Sequence, residues 1–514
     1  MPGKIIVTNR QVLSQKYGAA GLTAINRAVA ALVAADARRG ITTTVKYVDD
    51  PALGSHAVTN PQDCAQNKGA VDAIFSAQSP DYLMILGSCD VIPHQDLANP
   101  CYGASDPDKY AWSDLPYACS GGYSRNVKDF LNPTRVVGRL PDLTGDNEAS
   151  YLVGLLNTAT NYTPRSAADY AGYLGVSAQV WNASTALSIK NIFGSNSNMR
   201  QSPPDGPNWP AAEMQNRSHF FNCHGAQIDP HFYGQDTPTN FPIAHDAAYL
   251  ATRVAEGTVA SCECCYGAEL YDPSAPGAGG QMGVANMYLR EKAYAYFGST
   301  TIAYGPASGN GAADLICQYF LQSVLSGASA GRATLEARQK FLSTVGHTAV
   351  TAVDAKTIAQ FILLGDPSVH PVRMPPSPSL MAKAVTKAAA SAQETDADSR
   401  SHRRASLEAT GASLAESVAV AIDSTQGQVS RVLMEMVAKS VANLGAATVQ
   451  YVTYAVQPSR LEISIKSASP ARKPRLVQMA IARLESRHPK LKSLVVCIAI
   501  ENEAGTSYQV LYSR

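Results

Sequence analysis

Apolar residues in the first two-thirds of the chain fall in short continuous runs, separated by segments whose apolar positions recur at helical spacing. Residues 4–8 (KIIVT), 41–48 (ITTTVKYV) and 82–87 (YLMILG) read as strands, and 21–39 and 61–78 as helices. A strand that is apolar at nearly every position is covered on both faces, as in a parallel sheet with helices on either side. The same alternation resumes with a strand at 135–139, a helix at 148–162 and strands at 173–178, 219–222, 258–261 and 293–298. Helices at 311–326 and 333–345 and an apolar run at 361–364 complete it. Past residue 372 the composition changes. Residues 373–411 are rich in Pro, Ser and charge and read as a linker. Residues 412–514 predict a small α+β domain, with helices at 413–443 and 474–487 and strands at 494–500 and 507–512. No repeat of 20–50 residues is present, so a solenoid is excluded.

Composition narrows the function classes. Of 514 residues 45% are hydrophobic and 16% charged, and the net charge is +1, so bulk attraction to nucleic acid or a membrane surface is not expected. The charge is divided unevenly: residues 374–514 carry 17 Lys and Arg against 11 Asp and Glu, a net of +6, which leaves −5 for the body. No unbroken run of 18 apolar residues occurs, so no membrane span is expected, and residues 1–18 lack the apolar core of a signal peptide. Ten cysteines lie scattered without a framework of spacings, which favours reduced thiols and a cytoplasmic location.

Two segments end apolar strands with reactive groups. His224-Gly225 follows strand 219–222, and Cys265-Tyr266-Gly267 follows strand 258–261. In an open parallel sheet, functional groups gather beyond the carboxyl ends of the strands, so these two can face one another although 41 positions apart. An imidazole beside a thiol supplies the base and acid of a nucleophilic dyad. Other readings stand beside it. A buried cysteine is commonly a small hydrophobe, and Cys262, Cys264 and Cys265 with Cys223 and His224 would make a thiolate metal site, though C-x-C-C leaving a strand is not zinc-knuckle spacing. A P-loop, a dinucleotide fingerprint and an H-E-x-x-H motif are all missing from the sequence.

Seven segments in order resemble the gingipain-type cysteine peptidases of the caspase-like clan. They are DYLMILGSCDVIPH, SDPDKYAWSDLPYA, RVVGRLPD, the His-Gly segment, the Cys segment, REKAYAYFGSTTIAYG and FILLGDPSVHPV, and they cover residues 4–372. The resemblance implies an α/β caspase-like three-layer sandwich, mostly parallel, in two tandem subdomains at 1–165 and 166–372, the second catalytic. It implies His224 as the catalytic histidine, Gly225 as the oxyanion glycine, and either Cys264 or Cys265 as the nucleophile. Counting from Cys265 places a small residue, an acid and a large apolar residue (Ala268, Glu269, Leu270) where the family has them, so Cys265 is preferred, with a second oxyanion N–H of its own.

The expectation is thus an intracellular cysteine endopeptidase acting on protein or peptide substrates through a His224/Cys265 dyad and a thioester. No metal or organic cofactor is expected in the chemistry. Tyr304, Asp314 and Asp229 are expected at the substrate wall, either aspartate serving a basic P1 preference. The basic C-terminal domain is expected to regulate the peptidase or dock a partner. The rival readings are a catalytically silent caspase-like binding or scaffolding protein and a thiolate metal module.

Overall fold

The computed structural model describes residues 1–103, 106–345 and 350–373, and beyond them 420–425, 433–434, 437–438, 447–457, 475–484, 488, 490–491, 494–502 and 505–513. The body is built on one ten-stranded sheet. Its strands are β1 (Gly3–Thr8), β2 (Thr42–Tyr47), β3 (Tyr82–Leu86), β4 (Val137–Leu140), β5 (Tyr173–Ala178), β6 (Met199–Ser202), β7 (Ser218–Asn222), β8 (Val259–Cys262) and β9 (Ala295–Ser299). Strand β10 (Tyr304–Pro306) stands outside it, and β11 (Phe361–Leu364) completes it. The spatial order is β2-β1-β3-β4-β11-β9-β8-β7-β5-β6. Strand β11 runs parallel to β4 and antiparallel to β9, and every other neighbouring pair is parallel. The two parallel runs meet at β11. This is a mixed α/β architecture on a mostly parallel sheet, consistent with the sandwich that the resemblance implies.

Successive residues of a strand face opposite sides of its sheet, and the core divides accordingly. Phe221, Ala260, Tyr296 and Ile362 pack with helix α2 (Val284–Arg290). Phe220, Val259, Phe297 and Phe361 pack with α3 (Ala312–Leu325), α4 (Ala330–Val345) and α5 (Ala352–Gln360). The sequence contains no unbroken apolar run of membrane-spanning length, yet helix α1 (Arg10–Arg38) meets that criterion on average, with a hydropathy of 1.4 over 18 residues. Its Leu13, Ile25 and Leu32 are buried in the core, and a left-handed Gly18 (φ 61°) kinks it.

Two charged clusters lock the frame. Lys4 on β1 is buried and bonds Asp36 (2.9 Å), Asp366 and Ser368 (3.2 Å), so the Gly365-Asp366-Pro367-Ser368 turn after β11 is tied to β1, three strands away in the sheet. Arg139 on β4 is also fully buried. It forks onto Asp114 at 2.9 and 2.6 Å and caps the carbonyls of Gly87 and Ile92 at 2.9 and 2.7 Å.

The described C-terminal strands are β12 (Val420–Thr425), β13 (Ala447–Gln457), β14 (Arg475–Leu484), β15 (Leu494–Asn502) and β16 (Gly505–Ser513). With β10 they form a six-stranded antiparallel sheet in the order β10-β16-β15-β14-β13-β12. The expected helix at 474–487 is a strand. Its apolar spacing fits a helix, but β14 is flanked on both sides by ladders that satisfy its backbone groups, and pairing overrides the local pattern. Likewise 420–425 is extended where a helix was expected, and most of 413–443 and nearly all of the linker 373–411 lie outside the described residues.

Burial pushes the Asp114 carboxyl up, but Arg139 and His94 beside it outweigh that and hold it well below the ordinary carboxylate range. A depressed native pKa contributes stability that is complete above the unfolded value of about 4 and lost as pH falls. Acid unfolding monitored by circular dichroism should shift to higher pH in Asp114→Ala. Removing the carboxylate strands a buried guanidinium and should cost about 3–5 kcal/mol at neutral pH in denaturant titration.

Candidate active site

Strands β7 and β8 are parallel neighbours in which Phe221 stands opposite Cys262. His224 and Cys265 each lie three residues past that rung, so the two segments leave the sheet side by side at its carboxyl edge. Their backbones then touch. A Cβ on Gly225 would lie 1.8 Å from the Cys265 carbonyl oxygen and 3.3 Å from its nitrogen, a position that no side chain can occupy. The glycine after the histidine is required by this approach.

The His224 ring is buried, held between Trp181 (centroids 4.3 Å apart) and Phe241 (5.2 Å, edge-on). Its Nε2 lies 2.8 Å from the side-chain oxygen of Gln235, whose amide nitrogen donates to the Thr237 carbonyl at 3.1 Å. That second bond sets the amide orientation, so the oxygen accepts from Nε2–H and the neutral ring keeps its lone pair on Nδ1.

Cys265 is 3% exposed, and its sulfur accepts the backbone N–H of Ala303 at 3.2 Å. Burial pushes its thiol up to about 12, against the lowering pull of the Ala303 N–H and the Lys356 ammonium. In this arrangement it is a neutral thiol. The next residue, Tyr266, is held in the left-handed region (φ 55°), rare for a bulky side chain and costly in strain. Its hydroxyl donates to Asp108 at 2.6 Å and its N–H to the Thr301 carbonyl at 3.1 Å. Cys264 goes the other way. It is fully buried in the core, its thiol driven well up by burial beside Cys223 and Cys262. Among the described residues no group of three His, Cys, Asp or Glu is placed to hold a metal ion, these three thiols included.

Glu269 joins the two loops. Its carboxylate accepts the N–H of Ile228 at 2.7 Å, and Ile228 has a positive φ of 53° in the loop after His224. Burial pushes Glu269 up to about 7. Beside it a cleft of about 690 Å³ is lined by Asp108, Trp112, Gln227, Tyr266, Glu269 and Thr301.

The three expected wall residues are engaged within the protein. Tyr304 is fully buried and donates to Asp106 at 2.6 Å, and Asp106 pairs with the buried Lys356 at 2.5 Å. Asp314 is fully buried in the first turn of α3 and accepts from Asn222, the last residue of β7, at 3.3 Å. Asp229 is bonded by His231 (2.6 Å), Tyr233 (2.8 Å) and Lys490 (3.1 Å). Burial pushes its carboxyl up, but those donors outweigh it and leave it below the ordinary range. Gln235, Ala303 and Lys356 were not singled out from sequence. Each acts through a position opposite a loop, and nothing in its neighbours along the chain signals that.

The family model of peptidase family C25 matches residues 3–372. The match spans well over half of the chain, which therefore belongs to that family and is a cysteine peptidase acting on protein substrates. No curated protein matches it.

Gly225→Ala must force the two strand ends apart. It should abolish peptide hydrolysis and lower the melting temperature, both readable on one purified sample. Because only the thiolate is nucleophilic, alkylation of Cys265 in the resting protein should keep accelerating between about pH 7 and about pH 10, where an ordinary cysteine levels off near 8.5–9. Mass-spectrometric counting of iodoacetamide adducts at Cys265 measures it, and a plateau below pH 8 would contradict the buried-thiol description.

Proposed function

We propose that this member of family C25 is an endopeptidase that uses His224 and Cys265 as its dyad. The observation carrying the reading is the shared register: both residues stand three positions beyond one rung of adjacent parallel strands, with Gly225 pressed against the Cys265 backbone. In the reaction Nδ1 of His224 takes the thiol proton as Cys265 Sγ attacks the scissile carbonyl carbon. The oxyanion is held by the N–H groups of Gly225 and Cys265. Collapse breaks the C–N bond, the imidazolium protonates the leaving amine, and a thioester remains. Water, deprotonated by the same imidazole, attacks the thioester to release the acid and restore the thiol. Trp181, Phe241 and Gln235 fix the ring for both transfers.

Cys264 has no part in this chemistry, since its side chain is sealed in the core. A basic P1 preference receives no support from Asp229 or Asp314, whose carboxylates are already taken by protein donors. We further propose a reducing, cytoplasmic setting. It is supported by the nine cysteines with described side chains, all free thiols, with Cys223, Cys262 and Cys264 adjacent yet unlinked. A catalytically silent scaffold on the same frame is the competing reading, and the dyad variants separate the two.

Cys265→Ala and His224→Ala should each reduce kcat at least about 10³-fold with unchanged circular dichroism, the size expected when one member of a catalytic unit is removed. Cys264→Ala should keep its activity while losing about 1 kcal/mol of stability through a small core cavity. Loss of activity in Cys264→Ala with survival in Cys265→Ala would reverse the assignment.

A further inference from the structure

The strand that continues from the hydrogen-bond partner of Cys265 is already paired. Ala303, whose N–H meets the Cys265 sulfur, leads directly into β10. Strand β10 is outside the ten-stranded sheet, and its ladder partner is β16, antiparallel, with Tyr304 opposite Ser513, Gly305 opposite Tyr512 and Pro306 opposite Leu511. In that register β16 advances from Pro306 toward Tyr304, which is toward Ala303 and Cys265. Leu511 and Ser513 are buried, 2% and 4% exposed, while the alternating residues Val510 and Tyr512 are half-buried, so alternate side chains enter the protein as in a seated strand.

The same C-terminal region also grips the other side of the site. Leu491 is buried with Ala226, Tyr233 and Phe241, and Phe241 is the ring against His224. The His488 ring packs on Tyr233 at 4.8 Å and on Phe241 at 6.0 Å. Lys490 bonds Asp229 at 3.1 Å and the Gly277 carbonyl at 3.3 Å. One region thus contacts the residue that follows Gly225, the ring that packs on His224, and the strand that continues from the Cys265 partner. The opposite net charges of body and C-terminal region, −5 and +6, favour the closure.

We propose that β10 is the edge on which an extended peptide is held for attack by Cys265, and that β16, secured by His488, Lys490 and Leu491, occupies that edge as an internal competitor of substrate. The inference rests on the dyad reading above. A peptide whose carbonyl reaches Cys265 must pass beside Ala303, and the nearest backbone able to bind it as an added strand is Tyr304–Pro306. A strand edge forms one ladder at a time, so substrate gains access only when β16 withdraws. The competent fraction of molecules then multiplies the apparent affinity for substrate.

The test uses the full chain. Tyr512→Pro removes a ladder N–H and Leu491→Asp places a charge in the apolar seat, so the double variant should release the region. Lys490→Glu, at a partly exposed side chain, is a milder variant that reverses the contact with Asp229 without a folding risk. Limited proteolysis reports whether the region has been released. The release variant should show kcat/KM on a peptide library and the rate of Cys265 alkylation raised about 10-fold or more, and Lys490→Glu a smaller rise in both. A synthetic peptide with the sequence of residues 505–513 should inhibit the released enzyme competitively. Unchanged alkylation in a variant whose C-terminal region is demonstrably released would overturn the proposal. Faster alkylation with no hydrolysis would keep the occupied edge and refute the peptidase reading instead. Hydrolysis that survives Cys265→Ala in the released background would refute the dyad alone.

Discussion

Everything at this site depends on the lateral register of two parallel strands. Hydrogen bonding between β7 and β8 sets Phe221 against Cys262, and the chain after each strand has only three residues in which to present a side chain. Parallel pairing makes those three residues equivalent, so an imidazole and a thiol arrive at one level of the sheet edge. A slip of one residue would turn one of them to the opposite face. The register is protected because β7 and β8 are central strands with apolar side chains committed to both layers.

Bringing two backbones together at that edge requires a residue without a side chain, and it produces strain. Gly225 meets the first requirement, and the left-handed Tyr266 and Ile228 carry the second. Both strained residues are held by specific bonds: Tyr266 by Asp108 and the Thr301 carbonyl, Ile228 by Glu269. The buried pairing of Lys356 with Asp106 stands behind this loop, and Tyr304 joins it from β10. The loop geometry is therefore anchored to α5 and to the segment after β3, and the site is a product of both parallel runs.

The thiol itself is in a quiet state. Burial leaves it protonated against the opposing pull of the Ala303 N–H and the Lys356 ammonium. The strand that shields this edge belongs to the C-terminal region, and its removal would admit water and substrate together. Under the proposal above, activation and access would be the same event.

Much of this was legible in the sequence because it follows from local pattern. Continuous apolar runs alternating with helical periods identified the parallel sheet, and the strands at 173–178 and 361–364 coincide with those of the structure. The His-Gly and Cys-Tyr-Gly segments marked themselves by ending apolar strands with reactive groups. The count to Ala268, Glu269 and Leu270 favoured Cys265 over Cys264, and tertiary structure added what each thiol touches: the Ala303 backbone for Cys265, and Cys223 and Cys262 in the core for Cys264. It also decided the fate of Asp229 and Asp314, since a carboxylate is free or spent according to donors remote in sequence, such as Lys490 for the first and Asn222 for the second. And it turned 475–484 from an expected helix into a strand, because a helix satisfies its own backbone while a strand needs neighbours, and those neighbours come from distant parts of the chain.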